Sequence, residues 1–100
     1  MKLKEQIESW INGSYSIDSN GFYNVIGDVN IKDWKDPTLP IKFGTVSGDF
    51  YCGYNQLTSL KGAPETVGGN FYCTLNGINL KLNRQEYLIL KRHEKLKRIN

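Results

Sequence analysis

The chain has 100 residues, 39% of them hydrophobic, and a formal net charge of +3. This length predicts one small domain with a modest core. No apolar run reaches the roughly 18 residues that a membrane-spanning helix needs, and the first residues lack the apolar stretch of a signal peptide. We therefore expect a cytoplasmic protein that has no membrane partner.

Cysteine and histidine are too scarce for the common metal sites. The chain has two cysteines, one histidine and no CxxC spacing, so we expect no metal and no cofactor. It also lacks the phosphate-binding, dinucleotide-binding, zinc-protease and serine-hydrolase motifs, and we expect no catalytic residues. An enzyme that uses Asp28 and Asp49 as a carboxylate pair is the lowest-ranked alternative, because we expect no substrate pocket beside them.

The first 26 residues predict a helix followed by a β-hairpin. Apolar residues recur at helical spacing at Leu3, Ile7, Trp10 and Ile11. Asn12-Gly13 then ends the helical pattern. Two apolar runs at residues 15–17 and 22–26 flank Asp18-Ser19-Asn20-Gly21, which is typical of a hairpin with a four-residue turn. We expect the hairpin to cap one end of the core and to lead into a strand at residues 29–31.

The middle of the chain repeats itself with a period of 21 residues. Residues 48–55 and residues 69–76 share five identities, namely a Gly, a Phe, a Tyr, a Cys and an Asn. At the same offset, Thr45-Val46 matches Thr66-Val67, and Gly27-Asp28 matches Gly48-Asp49. Three consecutive units with one period indicate a repeat architecture in which each unit stacks on the next.

Each unit follows an apolar-x-apolar-x-x-Asn-x-apolar pattern, which is that of leucine-rich repeats. The middle unit places Phe50, Cys52, Asn55 and Leu57 at these positions, and the last unit places Phe71, Cys73, Asn76 and Ile78. Alternation predicts short strands with the Phe and Cys side chains inside, and the Asn side chains are expected to bond backbone groups of the turn and the next coil. Trp34 stands at the Asn position of the first unit, so we expect an irregular coil in which Trp34 covers an end of the core.

The middle unit, GDFYCGYNQLTSLKGAPETVGG at residues 48–69, resembles the leucine-rich-repeat-like proteins of tailed bacteriophages. The lead-in LPIKFGTVSG at residues 39–48 is similar to them too. The resemblance covers residues 14–80, about two thirds of the chain. It implies a phage or prophage origin and a repeat that serves as a scaffold, and it implies no particular activity.

The last residues predict a capping helix. Asn83 and Glu86 have the spacing of a capping box, and the helix is expected over residues 84–99. One apolar face, which Leu88 flanks, is expected to pack on the core: Ile89, Leu96 and Ile99. The predicted fold class is therefore α+β, in one domain. A short leucine-rich-repeat-like solenoid of about three parallel-stranded coils (27–82) lies between a helix and hairpin cap (1–26) and a basic helix (83–100).

The outward face of the repeat strands is the first candidate for binding. If the Phe and Cys side chains of the repeat point inside, the alternating residues point outside: Asp28, Asn30, Asp49, Tyr51, Asn70 and Tyr72. Adjacent strands lie about 4.8 Å apart, so Tyr51 and Tyr72 are expected to stack. Tyrosine is enriched at binding hot spots, which predicts a protein-binding face. The alternative is aromatic pairing that only stabilises the sheet.

The C-terminal helix is the second candidate. Residues 84–100 hold six Lys and Arg residues against two Glu residues, so the net positive charge of the chain lies there. Four of the cations fall on one stripe of the helix, namely Arg84, Lys91, Lys95 and Arg98. The stripe predicts binding of nucleic acid or another anion. The alternative is a solvated face that complements the helix dipole.

These patterns favour a phage-encoded, non-catalytic protein-binding module that acts on a host bacterial protein inside the infected cell. It would act as a stoichiometric inhibitor or adaptor, and an anti-CRISPR is one form of such an inhibitor. The alternative is a nucleic-acid-binding accessory protein that uses the basic helix. Cys52 and Cys73 are expected as unpaired thiols in one interior column. Whether they ever pair, and whether the protein is a monomer or a homodimer, stays open.

Overall fold

The computed structural model describes residues 2–99, with side chains up to residue 94. Over this range the chain forms helices α1 (Leu3–Ser9) and α2 (Arg84–Ile99) and strands β1 (Ile11–Ile17), β2 (Phe22–Asn30), β3 (Lys42–Val46), β4 (Phe50–Leu57), β5 (Thr66–Val67), β6 (Phe71–Leu75) and β7 (Ile78–Leu82). The strands form one sheet with the order β5-β3-β2-β4-β6-β7, and β1 pairs with β2 outside this path.

The predicted leucine-rich-repeat solenoid of parallel strands is wrong. The sheet mixes parallel and antiparallel pairs, because an antiparallel hairpin lies at each end of the strand series, β1 with β2 and β6 with β7. The long strand β2 pairs with β3 through its first half and with β4 through its last residues. The result is a small α+β fold in which a mixed sheet curls into a half-barrel instead of stacking as successive coils.

The turn between β6 and β7 gives a physical reason for this difference. Asn76 and Gly77 have φ values of 51° and 77°, which fit the type I′ turn of a two-residue hairpin. Asn76 is therefore exposed in a turn, and it does not occupy the turn of a repeat coil as predicted. Ile78 begins an antiparallel strand instead of occupying an inner repeat position. Here the turn preference of Asn-Gly overrides the repeat pattern.

The period of 21 residues appears in the structure as the register of parallel strands. Residues that lie opposite each other differ by this number in three pairings: Val29 with Phe50, Phe50 with Phe71, and Thr45 with Thr66. Asn55 is buried and bonds backbone groups, as predicted. Its Nδ2 donates to the Ile31 carbonyl at 2.9 Å, and its Oδ1 accepts from the Trp34 N–H at 3.1 Å.

The core lies between the inner face of the sheet and α2. Phe50 and Phe71 stack with their ring centroids 5.6 Å apart, and Tyr87 of α2 stacks on Phe71 at 4.3 Å. Cys52 and Cys73 lie opposite each other on β4 and β6, buried and unpaired as predicted. Burial of each of these aromatic rings contributes roughly 2–3 kcal/mol to the stability of the fold.

Helix α2 forms with the predicted cap but turns a different face to the core. The Glu86 N–H donates to Asn83 Oδ1 and the Asn83 N–H donates to Glu86 Oε1, both at 2.9 Å, which confirms the capping box. Tyr87 is 1% exposed whereas Ile89 is 55% exposed, so the prediction that Ile89 packs inside is wrong. The buried Tyr87 hydroxyl donates to the Pro64 carbonyl, a partner that aliphatic spacing does not reveal. The side chains of residues 96 and 99 lie outside the described residues.

Helix α1 and the first hairpin cover the other end of the core. Ile7 and Trp10 are buried, and Trp10 meets Trp34 edge to face with ring centroids 5.7 Å apart. Trp34 thus packs against the core at this end, as predicted.

The antiparallel pairing of β1 with β2 confirms the predicted hairpin. The predicted helix end at Asn12-Gly13 is wrong, because the helix ends at Ser9 and Ile11 already begins β1. The strand expected at residues 29–31 is the end of β2.

Candidate protein-interaction face

The outer face of β2, β4, β6 and β7 carries a row of polar and aromatic side chains. The register places its members opposite one another, Asn30 with Tyr51, Tyr51 with Tyr72, and Tyr72 with Lys81. Because side chains alternate along a strand, these residues lie on the side opposite the buried core. We call this row, together with the neighbouring Tyr54, the tyrosine face.

Tyr72 is the centre of the tyrosine face. Its ring centroid lies 6.4 Å from that of Tyr51, and the two ring planes are inclined by 56°. The Lys81 ammonium lies over the Tyr72 ring, 5.4 Å from its centroid, a cation–π contact worth about 0.5–1 kcal/mol at an exposed site. A Cβ at Gly53 would lie 2.5 Å from Tyr72 Cε1, so the missing side chain of Gly53 leaves the space that the ring occupies.

Tyr54 projects farther into solvent and was not among the predicted site residues. Its side chain is 86% exposed. Its φ of 61° lies in the left-handed region, which costs a residue with a Cβ about 1–2 kcal/mol. The Tyr54 N–H donates to Thr74 Oγ1 at 2.9 Å, which holds this conformation. Asp33, which precedes Tyr54 by one period, has a similar φ of 58°, so the same backbone kink recurs.

The surroundings of two hydroxyl groups of the tyrosine face raise their pKa values. Tyr51 Oη donates to Asp49 Oδ2 at 3.0 Å, and this bond raises the pKa of the Tyr51 phenol above its ordinary value. A hydrogen bond with Tyr54 likewise raises the pKa of the Tyr72 phenol. Both phenols are therefore neutral at physiological pH, and each hydroxyl can donate and accept a hydrogen bond.

Asp28 and Asp49, which the sequence predicted as binding residues, have intramolecular partners. Asp28 Oδ1 accepts from the Asp49 N–H and Asp49 Oδ1 accepts from the Asn70 N–H, both at 2.7 Å. A Cβ at Gly48 or Gly69 would collide with these carboxylate oxygens. The repeated Gly-Asp dipeptide therefore ties neighbouring parallel strands together, and the two carboxylates are engaged by backbone amides rather than by each other.

The structure brings the six predicted protein-binding residues onto one face of the sheet: Asp28, Asn30, Asp49, Tyr51, Asn70 and Tyr72. An open depression of about 600 Å³ lies beside the tyrosines and is also lined by Lys32 and Asp33. A second depression on the other side of Tyr72 is lined by Lys81 and Asn83. The face is thus a broad, shallow surface with aromatic, amide and charged groups.

The basic stripe predicted on α2 is only partly within the described residues. Arg84 is exposed, whereas Lys91 is half-buried and its Nζ lies 3.1 Å from Glu94 Oε2. An ion pair at this helical spacing contributes about 0.2–0.5 kcal/mol. The side chains of Lys95 and Arg98 lie outside the described residues.

No protein-family model, curated protein or solved structure matches the chain. Among residues 2–99, no helix combines the length and the apolar character needed to cross a membrane. In the described part of the chain, no group of three or more His, Cys, Asp or Glu side chains is arranged to hold a metal ion.

Proposed function

We propose that the protein is a non-catalytic protein-binding module and that the tyrosine face is its binding surface. The observation that supports this most is the convergence of three tyrosines, of which Tyr54 is 86% exposed on a left-handed backbone. Strained residues persist where the surrounding structure fixes them, and they cluster at functional sites. Tyrosine also presents a large ring and a hydroxyl with only two side-chain torsions to order on binding.

The shape and chemistry of the tyrosine face suit a protein partner. The rings project from paired strands, so the surface is already ordered before a partner arrives and little entropy is lost on docking. The amides of Asn30 and Asn70 and the Lys81 ammonium surround the rings as polar groups. A central aromatic cluster with a polar surround is the usual anatomy of a protein–protein interface.

The resemblance to phage repeat proteins implies a phage or prophage origin, and we propose on that basis that the partner is a host protein in the cytoplasm of an infected bacterium. In that setting a small binding module acts as a stoichiometric inhibitor or an adaptor, and an anti-CRISPR is one such inhibitor. This part of the proposal rests on the resemblance alone.

An affinity capture from bacterial lysate tests the proposed function. The tagged protein, its Tyr51→Ser/Tyr72→Ser variant and a Tyr15→Ser control are compared with and without nuclease, and captured proteins are identified by mass spectrometry. Tyr15 is a half-buried tyrosine on the β1–β2 hairpin, outside the tyrosine face. We expect one nuclease-resistant protein that the double variant loses and the control retains. Retention by a folded double variant would overturn the proposal.

Nucleic-acid binding through α2 is the second candidate function. The observation in its favour is the excess of six Lys and Arg over two Glu in residues 84–100. In the same experiment, captured material that disappears with nuclease would support this function. Binding to duplex DNA should then weaken steeply with added salt and weaken further in Arg84→Gln. A flat salt dependence would exclude it.

A further inference from the structure

The outer edge of β7 is an open sheet edge beside the tyrosine face. In the described part of the chain, β7 pairs with β6 only. In a two-residue hairpin the residues that flank the turn, here Leu75 and Ile78, form a hydrogen-bonded pair, and such pairs then alternate along the strands. The backbone N–H and C=O groups of Asn79 and Lys81 therefore point away from β6.

Among the described side chains, which end at residue 94, none covers these backbone groups. Asn79 and Lys81 are exposed, and Ile78 is 65% exposed. Outside the strand ladders, no backbone hydrogen bond of the described chain engages Asn79 or Lys81. Through Tyr87, the helix that follows β7 packs on the inner face of the sheet instead. The edge can therefore accept a further strand.

The two sides of this edge differ in chemistry. On the outer side, Lys81 lies over Tyr72, and among the described side chains it has no carboxylate partner. On the inner side, Ile78 is exposed and Leu80 is half-buried. An added strand would place alternate side chains on these two sides.

We propose that β7 receives a β-strand from the protein partner, and that this strand alternates apolar residues with an acidic residue placed opposite Lys81. Backbone hydrogen bonds to Asn79 and Lys81 provide affinity, and the alternate side chains provide specificity. The acidic residue extends the row that ends at Lys81 by one strand. This inference rests on the proposed protein-binding function and names the kind of segment that binds. Charge favours it over a second copy of the chain, which would bring a second Lys81 to the same short edge.

Selection of peptides against the full-length protein tests the inference. Short random peptides are displayed and selected, and the selected peptides are measured against variants of the two sheet edges and against the Tyr51→Ser/Tyr72→Ser variant. Asn79→Pro removes the outward N–H, places a ring on the edge and leaves the backbone pairing with β6 intact. It also removes the Asn79 Oδ1 that accepts from Thr74 Oγ1, so Asn79→Ala, which loses the same acceptor but keeps the N–H, is its control and should bind the peptides unchanged. Lys81→Glu reverses the charge. Ile17→Pro is the matched control on the β1 edge, because the Asp18 N–H donates to the Phe22 carbonyl and alternation then points the Ile17 N–H away from β2.

We expect peptides that alternate apolar and acidic residues, that lose about tenfold or more in affinity on Asn79→Pro and on Lys81→Glu, and that bind Ile17→Pro unchanged. Peptides that bind folded Asn79→Pro unchanged, or a selection that yields none, would overturn the inference. Self-association of the free protein that Asn79→Pro abolishes would also overturn it, because the edge would then belong to a second copy. Peptides that depend on Tyr51 and Tyr72 but not on Asn79 would reject strand addition and leave the proposed function standing.

Discussion

The two faces of β4 and β6 carry the same repeat and use it differently. On the inner face, Phe50 and Phe71 are fully buried and their ring planes are 2° apart. On the outer face, Tyr51 and Tyr72 have the same register, yet their rings are inclined by 56°. The phenylalanines are enclosed on all sides, whereas the tyrosines are packed on one side only. Identical repeat positions therefore give a fixed core contact on one face and a solvent-accessible aromatic surface on the other.

Removing one ring from each face gives the largest contrast. Phe71→Ala should reduce the free energy of unfolding by about 3–5 kcal/mol, because Phe71 stacks between Phe50 and Tyr87. Tyr72→Ala, one position along the same strand, should cost about 1 kcal/mol or less. Urea unfolding followed by circular dichroism measures both. Equal losses in the two variants would contradict the distinction between the faces.

The buried Asn55 allows a second test of the inner face. Asn55→Ala leaves the Trp34 N–H and the Ile31 carbonyl without their side-chain partner. We expect a loss of about 1–3 kcal/mol in the free energy of unfolding, since buried polar groups would lose hydrogen bonds. Gln56→Ala, at the exposed neighbouring position, is the matched control and should change little. A variant as stable as the control would contradict a stabilising role of the Asn55 amide.

Alkaline pH tests the inner phenol. Burial raises the pKa of Tyr87 well above its ordinary value of 10.0, so the folded state keeps this proton where the unfolded state loses it. The stability from Tyr87 is full below the ordinary pKa and falls as the pH rises above it. Tyr87→Phe should reduce the free energy of unfolding by about 1–2 kcal/mol at neutral pH. As the pH rises further, the variant should lose less stability than the unchanged protein, because it has no phenol to ionise at this position. Urea midpoints at neutral pH and above the ordinary pKa measure this. An equally steep loss in the variant would exclude Tyr87 as the cause.

The helix cap should have the smallest effect, because it lies at the surface. Asn83→Ala removes the acceptor of the Glu86 N–H and should cost about 1 kcal/mol. Asn83→Ser keeps an acceptor at the cap and should retain most of the stability. Thermal unfolding of the two variants compares them directly. A serine variant as unstable as the alanine variant would show that the side-chain acceptor at position 83 does not stabilise α2.

Local sequence signals predicted the helices and the first hairpin. The predicted architecture was wrong because the repeat pattern and the Asn-Gly turn favour different structures at the same residues. The capping box at Asn83 and the first hairpin follow from short-range chemistry and were correct. Asn76, however, occupies both the repeat position and an Asn-Gly turn. The turn acts locally and reverses the chain, whereas a repeat coil needs another coil to stack on. β7 and then α2 follow this turn, so the turn decides the direction of the strand.

Only those residues of the candidate site that belong to the 21-residue repeat could be predicted from the sequence. Tyr51 and Tyr72 follow from the repeat, because their register equals its period. Lys81 joins the row only through the antiparallel hairpin that the repeat did not predict. Tyr54 depends on a left-handed backbone conformation that tyrosine seldom adopts. The aspartates carry a strand-linking role that the spacing of outward side chains does not reveal.

The contact between Trp10 and Trp34 gives the protein an indole signal that is separate from the signal of its tyrosines. These are the two tryptophans of the chain, and both lie in one edge-to-face contact beside α1. Indole fluorescence therefore reports whether α1 is seated, without any attached label. Phenol absorbance sums over the six tyrosines, three of which belong to the tyrosine face. Docking of a partner should change the phenol signal and leave the indole emission in place, whereas global opening changes both.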